Sequence, residues 1–402
     1  MRHKLKDKMK TAGFLESMSG GIPMIDLQES RRKIDEVDRQ LLELFEYRMQ
    51  LTSEVADYKR STGLPVYDPV REEAKLKELR ALTRDEENQT AVVDLFTQII
   101  SMSRRKQYTQ LDHSFQLGFT AVDRFELDHN TKVMFFGEKG SYTEQAMLEY
   151  FKQEVNGIPG GTFGEIMQAV KEGRAEYGVL PLENSSTGTL SDIFDLLAEC
   201  DNVIIGEHVI KIEHHLWGLP EAQLSDIKRV YSHRQGLLQC SGFLKQHPGI
   251  EQVEFGSTAG CARKIQEEGN PDQAAIASRR AGEAYGLKLL QTSIHNDETN
   301  STRFIIISNR KIYDQRAERT SLCFALPHKS GSLYHMLSHF IYNKINMTRI
   351  ESRPIAGKAF EYRFFVDIEG SLENPGVKNA LHCIELEALE MKILGSFRPV
   401  RA

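Results

Sequence analysis

The sequence is poor in cysteine, and its five cysteines are scattered: Cys200, Cys240, Cys261, Cys323 and Cys383 stand far apart, with no Cys-x-x-Cys pair. That spacing excludes a zinc ribbon or a disulfide frame and fits reduced thiols. His214 and His215 adjoin without further ligands nearby in sequence, so they read as structural, and no metal or organic cofactor is indicated. No apolar run approaches the ~20 residues that span a bilayer, so no membrane partner is expected. The start, MRHKLKDKMK, is basic but lacks the apolar stretch of a secretory signal. Residues 1–24 read as a disordered tail, and nothing points outside the cytoplasm. A basic surplus is also missing: the formal charge is -6, which argues against a nucleic-acid partner. No Gly-x-Gly-x-x-Gly follows a strand-like run, which excludes a dinucleotide site of that form.

What is present suits packed domains. With 402 residues, 40% hydrophobic and 27% charged, two to four domains are expected. From Ile25 to Arg60 there is no proline, and Ile34, Val37, Leu41, Leu44, Leu51, Val55 and Tyr58 recur at three and four. This predicts an unusually long amphipathic helix. Gly63 and Pro65 stop it, and Asp68-Pro69 gives a cap and first-turn proline for a second helix to about Thr83. A third helix carries Val92, Leu95, Phe96, Ile99 and Ile100.

Cations interrupt the apolar pattern. Arg48 fills the slot between Leu44 and Leu51, Lys59 follows Val55 by four, and Arg31 precedes Ile34 by three. Ser103 and Gln107 continue the row from Leu95 and Ile99. Buried cations are costly unless they meet an anion. Snorkelling side chains or internal salt bridges are the plain alternative. Arg48 and Lys59 lie roughly 16 Å apart along the helix, so they could close on one small anion, whereas Arg31 is about 25 Å from Arg48. Arg31 must then serve another chain's site, which implies an intertwined dimer or a higher homo-oligomer.

These residues, with Asp38, Leu41-Leu42 and VYDPVREE at 66–73, resemble the all-helical chorismate mutases over roughly residues 25–112, within a domain read as 25–115. The resemblance implies that Arg48 and a partner chain's Arg31 hold two substrate carboxylates. Lys59 and Gln107 would face the ether oxygen, Glu72 and Asp68 would hold the ring hydroxyl, and Arg71 and Ser103 would complete the pocket. Tyr67 stands where relatives often carry a basic residue.

After a linker at 116–131, short β-rich runs alternate with polar loops and helices. Val133–Phe136 leads to Gly140-Ser141-Tyr142, and Tyr177–Leu180 to Glu183-Asn184-Ser185-Ser186. Arg229–Tyr231 leads to Ser232-His233-Arg234-Gln235, and Val253–Phe255 to Gly256-Ser257-Thr258. Asn300-Ser301-Thr302-Arg303 reads as a loop ahead of a strand at Phe304–Ile307. Such alternation predicts an α/β fold with open, mostly parallel sheets in two lobes, whose loops share one anion-favouring crevice.

In order, GxxGSYT (137–143), PLENSSTG (181–188), YSHRQ (231–235), STA (257–259) and TRF (302–304) resemble the prephenate dehydratases over about 132–310. This implies Thr302 as the catalytic residue. Asn184, Ser185, Ser186, Ser257 and Thr258 would bind substrate, supported by Ser141, His233, Gln235, Arg303 and Phe304. Whether Thr302 gives a proton or positions the departing hydroxyl stays open, as does whether Arg303 binds a carboxylate or forms a salt bridge.

Residues 318–402 read as βαββαβ, an α+β fold with an antiparallel sheet. Gly331-Ser332-Leu333 opens its first helix, and Glu351-Ser352-Arg353-Pro354 follows its second strand. Physically this could be a dimerisation plug. The two motifs resemble those of ACT regulatory domains, with departures at Ser332 and Tyr334, and imply phenylalanine as effector. Together the resemblances imply a multidomain enzyme taking chorismate to prephenate and then to phenylpyruvate. A non-catalytic amino-acid sensor is the competing class, but it has no use for the Arg31/Arg48/Lys59 set or for Thr302.

Overall fold

The computed structural model describes residues 26–111, 117–152, 155–358 and 360–400, so the expected tail at 1–24 lies outside the described residues. Two compact units divide the chain, Met1–His113 and Ser114–Ala402.

The helical unit comprises α1 (Leu27–Thr62), α2 (Pro69–Leu82) and α3 (Asn88–Gln110). Asp26 caps α1 by accepting from Gln28 and Glu29 N–H groups, and Gly63 ends it at φ 70°, a left-handed turn suited to glycine. Asp68 caps α2 through the Arg71 amide, with Pro69 in the first turn. The apolar stripe of α1 departs from expectation. Only Thr52 and Ala56 of α1 are buried, while Leu44 is 64% exposed and Ile34, Val37, Leu41, Leu51, Val55 and Tyr58 are exposed as well. Among the described residues of this unit the stripe has no core to face.

In the α/β unit, the first lobe contains β1 (Thr120–Val122), β2 (Lys132–Phe136), α4 (Tyr142–Phe151), β3 (Asn156–Gly160), α5 (Phe163–Lys171), β4 (Tyr177–Asn184), β5 (Gly188–Thr189), α6 (Ser191–Glu199) and β6 (Val203–Lys211). The second contains β7 (His215–Gly218), β8 (Arg229–Ser232), α7 (Arg234–Gln239), α8 (Ser241–Gln246), β9 (Glu251–Glu254), α9 (Thr258–Glu268), β10 (Gln273–Ala277), α10 (Arg279–Ala284) and β11 (Lys288–Gln291). The chain returns through β12 (Ser301–Ser308) and β13 (Ile312–Asp314). It ends in β14 (Arg319–Ala325), α11 (Ser332–Tyr342), β15 (Met347–Pro354), β16 (Tyr362–Glu369), α12 (Pro375–Glu387) and β17 (Glu390–Phe397). The stretch expected as linker carries β1, which pairs with β13.

The second lobe is one sheet in the order β11-β7-β10-β8-β9. The first lobe and the C-terminal strands share the other large sheet, β15-β16-β14-β17-β6-β12-β4-β2-β3, with β5 on β4. Parallel pairing links β2 with β3 and β4, and β8 with β9 and β10. β12, by contrast, runs antiparallel to both neighbours. Thr302 therefore enters from the start of a strand rather than from a loop at a strand's carboxyl end, because the returning chain pairs in the reverse direction.

One apolar core crosses from the first lobe into the C-terminal strands: Leu180, Ile204 and Ile305 pack with Cys323, Phe365, Leu394 and Phe397. Another joins both C-terminal helices to the opposite sheet face through Phe324, Phe340, Val366 and Ile384. The seam itself is a single pairing, Gly395 with Ile204. A Cβ on Gly395 would fall 1.9 Å from the Ile204 carbonyl oxygen, so only glycine lets these backbones meet.

Candidate active sites

In the helical unit, α1 and α3 bring Arg48, Ser103 and Gln107 together. The Arg48 guanidinium donates to Ser103 Oγ, which itself donates to the Ile99 carbonyl at 2.8 Å. Gln107 Nε2 donates to the Ser103 carbonyl at 3.3 Å, and the buried Gln107 Oε1 has no hydrogen-bond partner among the described residues. Lys59 Nζ donates to the Val66 carbonyl at 2.7 Å, tying the end of α1 to the chain entering α2. Burial lowers the pKa values of Arg48 and Lys59; for Lys59, the carboxylates of Asp68 and Glu72 oppose the shift. Two cations are thus partly desolvated on one helix, an arrangement suited to a small dianion.

Glu72 pairs with Arg104 at 2.7 Å, and the Arg104 guanidinium lies over the Tyr67 ring, 4.9 Å from its centroid. Arg104 was not anticipated. Its signal was its place on α3, three residues before Gln107 on the same face. Arg71 and Arg31 are exposed, and Arg31 stands on the N-terminal half of α1, away from the Arg48 cluster.

In the α/β unit, β4 and β12 are registered so that Asn184 sits opposite Thr302. Asn184 Nδ2 donates to Thr302 Oγ1 at 2.9 Å and to Asn300 Oδ1 at 2.9 Å. Asn184 Oδ1 accepts from the backbone amides of Ser186 and Thr187 and from both hydroxyls. Those two backbone donors fix which way the amide points. Because Thr302 Oγ1 accepts from an amide, its own proton is directed elsewhere. Ser185 and Ser301 exchange hydrogen bonds that lock the two strand ends.

The contact chain continues across the lobes. Gln239 Nε2 donates to Ser186 Oγ at 3.0 Å, Gln239 Oε1 meets His214 Nε2 at 2.9 Å, and His214 Nδ1 lies 3.3 Å from Tyr142 OH. Burial lowers the His214 pKa to about 4, so the ring is neutral in this network. Burial also raises the Tyr142 pKa. Sequence reasoning misses Tyr142, His214, Gln239 and Asn300 as site residues, because the partners of His214 lie far off in sequence. Nearby, Gly140 bonds Ser278 through its carbonyl, and Glu138 pairs with Arg263 at 2.8 Å, so the first loop of one lobe rests on α9 and α10 of the other.

Ser141, Ser257 and His233 cap α4, α9 and α7 through the amides of Glu144, Gly260 and Gln235. Thr258 is the first residue of α9. Arg303 and Phe304 stand apart from the Thr302 set. Strand alternation turns Arg303 away from Thr302, and it pairs with Glu183, with Glu207 at 3.5 Å and with Asp367 at 3.7 Å. Phe304 is buried in the first lobe's core. Of the two roles left open for Arg303, the salt bridge is the one seen.

Residues of β15 reach the first lobe. Glu351 Oε2 accepts from Thr189 Oγ1 at 3.0 Å, Arg349 pairs with Glu183 at 3.7 Å, and Arg353 pairs with Asp195 at 2.5 Å. Ser352 and Pro354 alternate outward on β15. Gly331, at φ 80°, precedes Ser332 and Leu333 at the start of α11.

Family comparison agrees with this division. The chorismate mutase type II family model matches residues 30–108, and the prephenate dehydratase family model matches residues 133–312. A bifunctional chorismate mutase/prephenate dehydratase of Aquifex aeolicus is 32% identical over 93% of this chain and 98% of that protein. Among solved structures, the Arthrobacter aurescens prephenate dehydratase in complex with L-Phe is 29% identical, with a TM-score of 0.62 over 67% of this chain and 90% of that one. GqqA, described as a novel type of quorum quenching acylase, is 32% identical, with a TM-score of 0.61 over 67% of this chain and 98% of that one. Among the described residues, no helix is long and apolar enough to cross a membrane.

Proposed function

The chain belongs to the bifunctional chorismate mutase/prephenate dehydratase family, and we propose that its helical unit rearranges chorismate to prephenate while its α/β unit converts prephenate to phenylpyruvate. The observation that carries this reading is the pairing of two separate polar sets on one chain: Arg48 with Ser103 and Gln107, and Thr302 with Asn184.

A Claisen rearrangement needs no nucleophile, only a compact substrate conformer and donors where charge grows on the breaking C–O bond. Arg48 would hold a carboxylate, and Lys59 and Gln107 would face the ether oxygen. Glu72, held by Arg104, would take the ring hydroxyl with Asp68. Arg71 and Ser103 would complete the pocket. Arg31 would come from a second copy of the chain, whose α1 would cover the exposed stripe; that exposure supports a homodimer with shared mutase sites.

In the α/β unit, prephenate loses carbon dioxide and hydroxide as its ring becomes aromatic. Thr302, oriented by Asn184, would donate its hydroxyl proton in a hydrogen bond to the departing hydroxyl. The starts of α4 and α9, at Ser141 and Ser257, would favour the substrate's anionic groups, with Ser185, Ser186, Thr258, His233 and Gln235 completing recognition. Among the described residues, the hydrogen-bonding neighbour of Thr302 Oγ1 is an amide and not a general base, which favours hydrogen-bond donation over the nucleophilic role an acylase would ask of it.

We read residues 25–115 as the mutase domain, 132–310 as the dehydratase domain and 318–402 as an ACT regulatory domain binding phenylalanine near Gly331–Leu333 and Glu351–Pro354. The Glu351–Thr189 contact supports a route from that domain to the loop carrying Asn184. The test is to supply chorismate to the purified protein and follow phenylpyruvate in alkali, with and without phenylalanine. Phenylpyruvate formed without added cofactor and suppressed by phenylalanine is expected. Conversion that stops at prephenate would refute the dehydratase assignment.

A further inference from the structure

In the C-terminal module, three metal-ligating side chains assigned to neither activity meet where α11 and α12 pack: His335, His339 and Glu387. We propose that they form a binding site for a divalent transition-metal ion of the zinc or cobalt type. His335 and His339 are four apart on α11 and so share one helix face, while Glu387 is the last residue of α12.

The geometry is close to that of a coordination shell. His339 Nε2 lies 3.0 Å and His335 Nδ1 3.6 Å from Glu387 Oε2, and all three ligand atoms lie within 4.8 Å of one another. Zinc takes nitrogen and oxygen ligands at about 2.0–2.1 Å in tetrahedral array, which sets neighbouring ligand atoms roughly 3.3 Å apart. The two distances to the carboxylate bracket that value.

A simple histidine–glutamate clamp between the helices accounts for only half of this. His339, with its side chain 3% exposed, would suffice for it. It leaves the second histidine unexplained, because the buried His335 Nδ1 is turned toward the same carboxylate oxygen without a hydrogen-bond partner. The His335 side chain is 33% exposed overall, which gives an ion a path in and leaves a fourth position for water. Two imidazoles and a carboxylate suit zinc or cobalt better than calcium or magnesium. An ion there would fasten the C-terminal end of α12 to α11.

The full chain, stripped of metal with a chelator, is titrated with Co²⁺ and read by its visible d–d band, and with Zn²⁺ by calorimetry. One ion per chain with a tetrahedral cobalt band is expected. His335→Ala, at a partly exposed position, and Glu387→Gln should each weaken binding at least tenfold. Melting curves in chelator establish that both variants fold. A missing tetrahedral band would overturn the site, as would a band with thiolate charge-transfer character or binding unchanged in both folded variants.

Discussion

The two units solve the problem of holding polar groups in different ways. In the helical unit, the groups assigned to catalysis sit on helices whose largest apolar face is open, so the site is half of something. In the α/β unit, a chain of hydrogen bonds linking Thr302 with Asn184, Ser186, Gln239, His214 and Tyr142 in turn closes within one chain across two lobes. A few long helices cannot bury both a stripe and a pocket alone, whereas two sheets facing a crevice can.

The sharpest way to break that contrast is a crossed pair of substitutions. Arg48→Ala should cost mutase turnover at least ~100-fold and spare dehydration of supplied prephenate, and Thr302→Ala should do the reverse. Equal loss of both activities in either variant would end the separate-site reading.

A pH series tests the self-contained unit. With a folded-state pKa of about 4 against an ordinary 6.5, His214 resists protonation in the native state. The unfolded chain binds the proton first, so stability is full above pH 6.5 and is lost as pH falls toward 4, by about 3 kcal/mol in all. Thermal melts should show that loss, and His214→Gln should reduce it. An unchanged slope would remove His214 from the account.

The open stripe of the other unit makes a smaller claim. Leu44→Glu should leave a lone chain unharmed yet weaken self-association at least tenfold, since the exposed leucine would otherwise be buried by a partner. Sedimentation across a dilution series checks this, with mutase activity expected to fall alongside dimer content. The smallest signal comes from mixing Arg31→Ala with Arg48→Ala chains. Shared sites should restore up to about a quarter of wild-type mutase turnover in a random mixture. No recovery in verified heterodimers would assign each site to one chain.

Much of this was legible in the sequence because the determinants are local. Asp26, Gly63, Asp68 and Pro69 announce helix ends within a few residues of them, and α11, β15, β16 and α12 follow one another in the expected order. Non-local pairing was not legible. Nothing near Thr302 says that β12 runs antiparallel, that Arg303 meets Glu207 and Asp367, or that His214 meets Gln239. The exposure of α1 was hidden for a related reason: periodicity marks an apolar face without saying which molecule covers it. His335 and His339 carried a four-residue spacing, but their partner Glu387 comes from another helix.

The single pairing at Gly395 bears on how this chain can be cut. A truncation removing everything after residue 317 deletes β14 and β17, leaving β6 with an unpaired edge and Leu180, Ile204 and Ile305 without the cover of Phe365, Leu394 and Phe397. Such a fragment would present an open strand beside an apolar strip, the combination that drives edge-to-edge aggregation. Although the seam is only one residue pair wide in hydrogen bonds, it is wide in buried side chains. The C-terminal strands therefore serve the first lobe as a wall, and an insoluble fragment would be the sign of their removal.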